Sequence, residues 1–118
     1  MSDYVSVCPV SDIPEGHREV FGINDHWVAI FCISGRFYAI EDLCTHDGNI
    51  LTEDADGNPV PLIDETVIKC PRHGARFDVT SGKFLGGPAG TVDLPFYGTR
   101  VEDGMLQVTL NPLKKPTG

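Results

Sequence analysis

Two short stretches of the sequence each place a thiol close to an imidazole. One residue separates Cys44 from His46, and two residues separate Cys70 from His73. Nowhere else in the sequence do cysteine and histidine cluster in this way beside residues that bend the backbone. Thiolates and neutral imidazoles are ligands of tetrahedral zinc and of iron–sulfur clusters with mixed ligation. The four side chains are therefore the predicted ligands of one metal centre.

The spacing within each stretch favours an iron–sulfur cluster. Structural zinc sites usually pair like ligands in each loop, with cysteines in one and histidines in the other. Here each loop carries unlike ligands, C-x-H in the first and C-x-x-H in the second. A two-iron cluster suits this pattern, because one iron takes both cysteines and the other takes both histidines. A zinc-stabilised interaction module that uses the same four residues is the alternative.

The two motifs and their surroundings resemble the Rieske [2Fe–2S] pattern. The resemblance rests on C-T-H followed by C-P-R-H-G-A-R-F-D, and it extends over roughly residues 4–110. It implies that Cys44 and Cys70 bind the buried iron, whereas His46 and His73 bind the solvent-facing iron. It also implies one [2Fe–2S] cluster per chain and the function of a ferredoxin. Such a protein carries one electron at a time from a reductase to an oxygenase or a similar acceptor.

The residues around the second motif bear on the redox potential that this resemblance implies. High-potential relatives carry a serine and a tyrosine at the positions of Ala75 and Phe77, and both hydroxyls bond to sulfur and stabilise the added electron. Those relatives also join the two loops by a disulfide, at positions that correspond to Asn49 and Arg72. Because both devices are missing here, we predict a potential toward the low end of the Rieske range, about −150 mV.

The interval between His46 and Cys70 is longer than is usual in ferredoxins of this family. The extra length falls in residues 52–59, a polar run rich in turn-forming residues. A surface insertion of this kind adds little to the entropic cost of loop closure. We therefore expect the ligand geometry to survive it.

The length and the pattern of short strands predict a single all-β domain. A chain of 118 residues is long enough for one domain with a modest core. We predict one domain over residues 1–110, with a cluster-binding subdomain at about residues 42–90, and a flexible tail over residues 111–118. Closely spaced turn signals and no convincing helix predict an antiparallel sandwich or small barrel with two ligand loops at one end.

Alternating apolar residues and turn signals place the individual strands. Three pairs of residues have the composition of tight hairpin turns, namely Asn24-Asp25, Ser34-Gly35 and Asp103-Gly104. The predicted strands cover residues 4–8, 17–23, 26–33, 36–40, 66–69, 77–79, 83–85, 94–102 and 105–110. A loop of glycine and proline at residues 86–90 comes directly after the predicted strand at residues 83–85. The family resemblance implies that this loop covers one side of the cluster.

The charge limits the classes of partner. Nine basic and seventeen acidic residues give a formal net charge of −8. Such a charge disfavours nucleic acid and anionic membrane, and it suits a redox partner with a basic docking face. No basic region precedes an apolar run at the start, and no stretch approaches the length of a membrane span. We expect a cytoplasmic monomer with no membrane attachment.

Catalysis is not expected of this chain. Rieske domains also occur fused to a domain with mononuclear iron, whose site needs two histidines and a carboxylate. Once His46 and His73 are used, only His17 and His26 are left, and no second domain is available to hold the iron. A nitrite reductase small subunit has a similar fold but commonly lacks the four ligands. The remaining alternative to an independent carrier is a non-catalytic, cluster-bearing subunit of a larger oxidoreductase.

The other sulfur-containing and aromatic side chains are assigned to the core. Cys8 and Cys32 lie in apolar alternating stretches, where a thiol behaves as a small buried hydrophobe. No disulfide is expected between them, because intracellular chains seldom keep one. Phe77 and Trp27 are predicted to be core aromatics, and His17 and His26 to be surface residues.

Overall fold

The computed structural model describes residues 4–45 and 50–112, and the regular secondary structure of these residues is almost entirely β-strand. Apart from one short 3-10 helix at Val10–Asp12, they contain no helix. The strands are β1 (Tyr4–Pro9), β2 (Arg18–Ile23), β3 (His26–Ile33), β4 (Arg36–Glu41), β5 (Val67–Lys69), β6 (Arg76–Asp78), β7 (Phe84–Gly86), β8 (Phe96–Glu102) and β9 (Met105–Pro112). The predicted all-β fold is confirmed, and each predicted strand is present with its ends shifted by at most two residues.

Six of the strands form the larger sheet, in the order β1-β9-β8-β4-β3-β2 with every neighbouring pair antiparallel. Three of its connections are two-residue hairpin turns whose residues all have positive φ. Positive φ at both central residues defines the turn that matches the twist of a hairpin. The three turns are the predicted ones, Asn24-Asp25, Ser34-Gly35 and Asp103-Gly104.

Strand β3 is buried on both of its faces. Ala29 and Phe31 pack into one hydrophobic cluster, whereas Val28 and Ile30 pack into a second one. Successive side chains of a strand point to opposite faces, so a strand between two cores has no polar face. This explains the unbroken apolar run from residue 28 to residue 32.

A second, three-stranded sheet is built within the segment that joins β4 to β8. We call this segment, residues 42–95, the loop-bearing unit. Its sheet has the order β5-β6-β7, and Ile68 of β5 pairs with Phe77 of β6. Asp78 closes the β6–β7 turn, since its carboxylate accepts bonds from the Thr80 amide at 2.8 Å and the Thr80 hydroxyl at 2.6 Å. Both predicted ligand loops lie in this unit.

The structure corrects one assignment and confirms several others. Trp27 is 55% exposed and is therefore not a core aromatic, whereas Phe77 is fully buried. Trp27 lies next to the β2–β3 turn, at the edge of the core, and pairs with Gly22 of the neighbouring strand. Its indole covers Gly22, since a Cβ added at Gly22 would lie 3.3 Å from the ring. His17 and His26 are exposed, as predicted.

The bounds of the domain and of its tail remain predictions, although the last strand passes the predicted end at residue 110. Strand β9 runs to Pro112, and residues 113–118 of the predicted tail lie outside the described residues. Within residues 4–45 and 50–112, no helix has the length and apolar character needed to span a bilayer.

Candidate metal centre

The two predicted cysteine ligands lie in the same buried cluster. Cys44 follows the end of β4, and Cys70 directly follows β5. Each is 1% exposed, and both belong to the hydrophobic cluster that also contains Ala29 and Phe31. Both thiols therefore pack in a cluster to which the larger sheet contributes side chains.

The second ligand loop is closed by its own backbone. The Cys70 amide donates to the Ala75 carbonyl at 2.7 Å, and the Gly74 amide donates to the Cys70 carbonyl at 3.0 Å. Gly74 has a φ of 77°, a backbone conformation that glycine adopts without strain. The turn leaves His73 exposed at the surface, one residue before Gly74. Buried thiol and exposed imidazole thus come from one tight loop.

Not all four predicted ligands can be placed. His46 lies outside the described residues, as do Asp47 and Asn49. Among the residues that are described, no three histidine, cysteine or acidic side chains converge closely enough to form a metal-binding group. The structure therefore brings Cys44 and Cys70 into one buried cluster and places His73 on the surface, without assembling a closed site.

The remaining cysteines differ from the predicted ligands. All four cysteines are described, and none of them forms a disulfide. Cys8 and Cys32 are buried in the second hydrophobic cluster, away from the ligand loops. Burial raises the pKa of both thiols, and nearby acids, Glu15 among them, raise it further. They are therefore neutral core thiols, as predicted.

A buried acid joins the two ends of the first ligand loop. Asp42 is 2% exposed and precedes Cys44, and one of its carboxylate oxygens accepts bonds from the amides of Leu51 at 3.2 Å and Thr52 at 3.0 Å. The other oxygen accepts a bond from the Thr52 hydroxyl at 2.7 Å. Burial raises the pKa of the Asp42 carboxyl, although these hydrogen bonds oppose the shift. The carboxylate clamps the chain before the loop to the chain after it.

The strand that leads into the first loop is also fixed at its end. Glu41, the last residue of β4, is 8% exposed and accepts a hydrogen bond from the Tyr97 hydroxyl of β8. His26 Nδ1 lies 3.0 Å from the same carboxylate oxygen. Burial, together with the bond to Glu41, raises the pKa of Tyr97 well above its ordinary value. The end of β4 is thereby anchored three residues before Cys44.

The glycine–proline loop at residues 86–90 packs against the second motif. An added Cβ at Gly87 would lie 2.7 Å from the Ala75 Cα atom, so no side chain fits there. The loop thus lies directly against the second motif, and its covering of the cluster stays a prediction. Next to it, the Thr45 hydroxyl donates to the Val92 carbonyl, which ties the segment after the glycine–proline loop to the first ligand loop.

The two positions that bear on the potential are both buried. Ala75 and Phe77 are fully buried, and the Phe77 ring packs against Phe84 with ring centroids 5.8 Å apart. Neither side chain has a hydroxyl that could donate to sulfur. Arg72, at the position of a disulfide cysteine in high-potential relatives, is exposed.

The residues present fit a cluster with mixed cysteine and histidine ligands. Two thiols buried among apolar side chains become thiolates readily only when a metal compensates their charge, and thiolates are ligands of iron–sulfur clusters. Sequence reasoning missed Asp42, Thr52 and Glu41, because an acid at the end of an apolar strand is ordinarily solvated. Their hydrogen-bond partners lie too far along the chain to show as a motif.

Comparison with known proteins identifies relatives over most of the chain. Residues 3–98 match the family model of the Rieske [2Fe–2S] domain. The ferredoxin subunit of 3-phenylpropionate/cinnamic acid dioxygenase from Escherichia coli K12 is 37% identical over 107 residues, which cover 90% of this chain and 92% of that protein.

Solved structures show the same similarity in three dimensions. The ferredoxin of carbazole 1,9a-dioxygenase from Nocardioides aromaticivorans IC177 is 25% identical and superposes with a TM-score of 0.74, covering 92% of this chain and 98% of its own. A chain from the complex of reduced oxygenase and oxidised ferredoxin in carbazole 1,9a-dioxygenase is 29% identical, with a TM-score of 0.76. That match covers 95% of this chain and 97% of the other.

Proposed function

The chain belongs to the Rieske [2Fe–2S] domain family, and we propose that Cys44, His46, Cys70 and His73 hold its cluster. The protein is an electron carrier of an oxygenase system, with one [2Fe–2S] cluster and no catalysis of its own. When bound, the cluster supplies a one-electron couple.

The observation that carries this assignment of ligands is the contrast between buried thiols and an exposed imidazole. Cys44 and Cys70 are each 1% exposed, and both lie in one apolar cluster. His73 is exposed on the same loop as Cys70. A carrier needs both properties, because its redox group must be shielded from solvent and still come close to its partner.

We further propose a potential near the low end of the Rieske range, about −150 mV. Its support is the absence of a hydroxyl at both Ala75 and Phe77, which are fully buried beside the second loop. Such a potential suits electron transfer from a reductase to an oxygenase in the cytoplasm. We expect the double variant Ala75→Ser, Phe77→Tyr to have a higher potential in a voltammetric titration. An unchanged potential in cluster-loaded variant would show that the new hydroxyls do not reach sulfur.

The ligand set is tested by visible absorption and low-temperature EPR of the purified protein, oxidised and then reduced with dithionite. A red-brown protein with a rhombic signal on reduction establishes a two-iron cluster with mixed ligands. A colourless protein with one equivalent of zinc would overturn electron transfer and support the zinc-stabilised interaction module.

Substitution of the histidines tests each ligand separately. His73→Cys and His46→Cys replace a neutral ligand by an anionic one, so we expect a lower potential or loss of the cluster. His17→Gln is the matched control, because His17 is exposed and lies outside both motifs. A potential equal to that of the control would remove the substituted histidine from the ligand set.

A further inference from the structure

A groove of about 490 Å³ runs beside the second ligand loop. One wall is apolar and comes from residues that follow the insertion, namely Val60, Pro61 and Ile63. The other wall is the ligand loop itself, with Lys69, Pro71 and Arg72, and Cys70 also lines the groove. A molecule seated there lies directly against a proposed cluster ligand.

The groove is basic, although the protein is acidic. No acidic side chain lines it, and among the described residues neither Lys69 nor Arg72 takes part in an ion pair. The sequence from residue 67 to residue 90 contains four cations and only one acid, Asp78, whereas the whole chain has a net charge of −8. The carboxylate of Asp78 is held by Thr80. The two cations that line the groove, Lys69 and Arg72, therefore face no acidic side chain in its lining.

The apolar wall is held in place by backbone hydrogen bonds. The amides of Ile63 and Val67 donate to each other's carbonyls at 2.7 and 2.9 Å, which fixes the wall to the start of β5. At its other end, the Val60 amide donates to the Thr52 carbonyl at 2.9 Å. Ile63 is nevertheless 40% exposed. An exposed isoleucine on a fixed backbone offers contact area at little cost in conformational entropy.

We propose that this groove is the docking surface for a redox partner that presents an acidic side chain flanked by apolar ones. Val60, Pro61 and Ile63, which follow the insertion between the ligand loops, supply the apolar half of that surface. The inference rests on the proposed function, since only a cluster-bearing chain has redox partners. The net charge of the whole protein favours a basic partner. The groove would in addition recognise a partner whose contact surface is acidic.

The test compares electron transfer to two haem proteins of opposite surface charge. Reduced protein is mixed in a stopped-flow instrument with cytochrome b5, which is acidic around its haem edge, or with cytochrome c, which is basic there. The quantity of interest is the ratio of the two second-order rate constants, because a shift in cluster potential affects both. Steering by charge changes association rates by large factors at low ionic strength and fades as salt is added.

Charge reversal in the groove is compared with charge reversal elsewhere. In the double variant Lys69→Glu, Arg72→Glu, we expect the ratio of the rate constant for cytochrome b5 to that for cytochrome c to fall about tenfold further than in the control. The control is Arg36→Glu, Arg100→Glu, which makes the same change in net charge at two exposed positions of the larger sheet. Equal changes in the two double variants would mean that only the net charge matters, and would overturn the proposal.

The apolar wall is tested by Ile63→Ser against Val101→Ser, since Val101 is 52% exposed on β8 and does not line the groove. We expect a slower reaction with cytochrome b5 in the first variant only, and equal rates would overturn the role of the apolar wall. If the double charge reversal loses the cluster, the neutral variant Lys69→Gln, Arg72→Gln takes its place.

The failure of this inference differs from the failure of the proposed function. The visible spectrum is recorded first, and a protein without a cluster overturns both. A cluster-bearing groove variant whose rate ratio matches that of its control overturns the docking surface alone.

Discussion

The larger sheet and the loop-bearing unit are held in shape by different kinds of interaction. In the larger sheet, β2 pairs with β3 over six consecutive residue pairs, and β3 pairs with β4 over six more. In the loop-bearing unit, β5 and β6 pair over three. The unit depends instead on side-chain clamps such as Asp42, on close contacts such as Gly87 with Ala75, and on the proposed cluster. Repeated backbone pairing fixes a scaffold, whereas single contacts fix a site.

The two regions also use cysteine differently. Cys8 and Cys32 lie in the core of the larger sheet, and Cys44 and Cys70 lie in the cluster of side chains beneath the loops. All four are buried to a similar extent, so burial alone does not separate a ligand from a core thiol. What separates them is position, because only the second pair lies in loops that also carry histidines.

The largest effect, loss of the cluster, is expected when one of the proposed cysteine ligands is replaced. Cys44→Ala or Cys70→Ala should abolish the cluster, seen as loss of visible absorption and of iron, because a thiolate ligand is removed. Cys32→Ala, the matched control in the larger sheet, should keep both. Far-UV circular dichroism should show that the larger sheet survives in every variant. Loss of colour in the Cys32 variant would contradict the division between the two regions.

A smaller effect is expected from removal of the clamp on the first ligand loop. Asp42→Ala leaves the buried amides of Leu51 and Thr52 without their acceptor, which should lower the free energy of unfolding by about 3–5 kcal/mol. It should also shorten the lifetime of the cluster in the presence of a chelator. Thr52→Val removes only the hydroxyl bond and should cost about 1 kcal/mol. Equal denaturation midpoints for the two variants would show that the carboxylate does not hold the loop.

Gly87 offers a comparison within a single loop. Its φ of 143° and its contact with Ala75 leave no room for a side chain, so Gly87→Ala should destabilise the protein by about 2–4 kcal/mol. Gly90, in the same loop, has a φ of 84° and nothing within 4 Å of an added Cβ. Gly90→Ala should therefore cost only about 1–2 kcal/mol of backbone strain. Chemical denaturation of both variants measures the difference, and a larger loss at Gly90 would contradict the packing argument.

The smallest change in stability is expected from Glu15, which bonds to the β3–β4 turn of the larger sheet, and this change depends on pH. The carboxylate of Glu15 accepts bonds from the amides of Ser34 at 2.6 Å and Gly35 at 2.7 Å, and these bonds, that of Gly35 foremost, lower its pKa. A lowered pKa in the folded state stabilises the fold above the unfolded value, and this contribution is lost as the pH falls through the folded value. Glu15→Gln should thus reduce stability at neutral pH.

The difference between wild type and Glu15→Gln should shrink as the pH falls below the ordinary pKa of a glutamate, about 4.3. Thermal unfolding at a series of pH values measures it. A difference that is constant across the series would mean that Glu15 does not titrate with folding.

Most of the scaffold could be predicted from the sequence, because its signals are local. The turns at Asn24-Asp25 and Asp103-Gly104 mark hairpins within a few residues, and the apolar run of β3 marks a strand between two cores. The ligand motifs are local for the same reason. Trp27 was misassigned because hydrophobicity does not report where a strand passes the edge of the core.

What the sequence did not reveal depends on contacts between distant residues. The Tyr97–Glu41 hydrogen bond and the approach of Gly87 to Ala75 join segments whose proximity only the folded chain creates. The charge of the groove is a similar case. Its basic residues are visible in the sequence, but the apolar wall opposite them is not.

The junction between β4 and β8 has a consequence for the order in which the chain folds. Backbone pairing between these strands covers two residue pairs, Ala39 with Tyr97 and Ile40 with Phe96, and the whole loop-bearing unit lies between them in the sequence. Pairing across so long an interval carries a loop-closure cost that the hairpins β2–β3 and β3–β4 do not face. We therefore expect the β2–β3–β4 meander to form early. Closure of the larger sheet then waits until residues 42–95 have become compact.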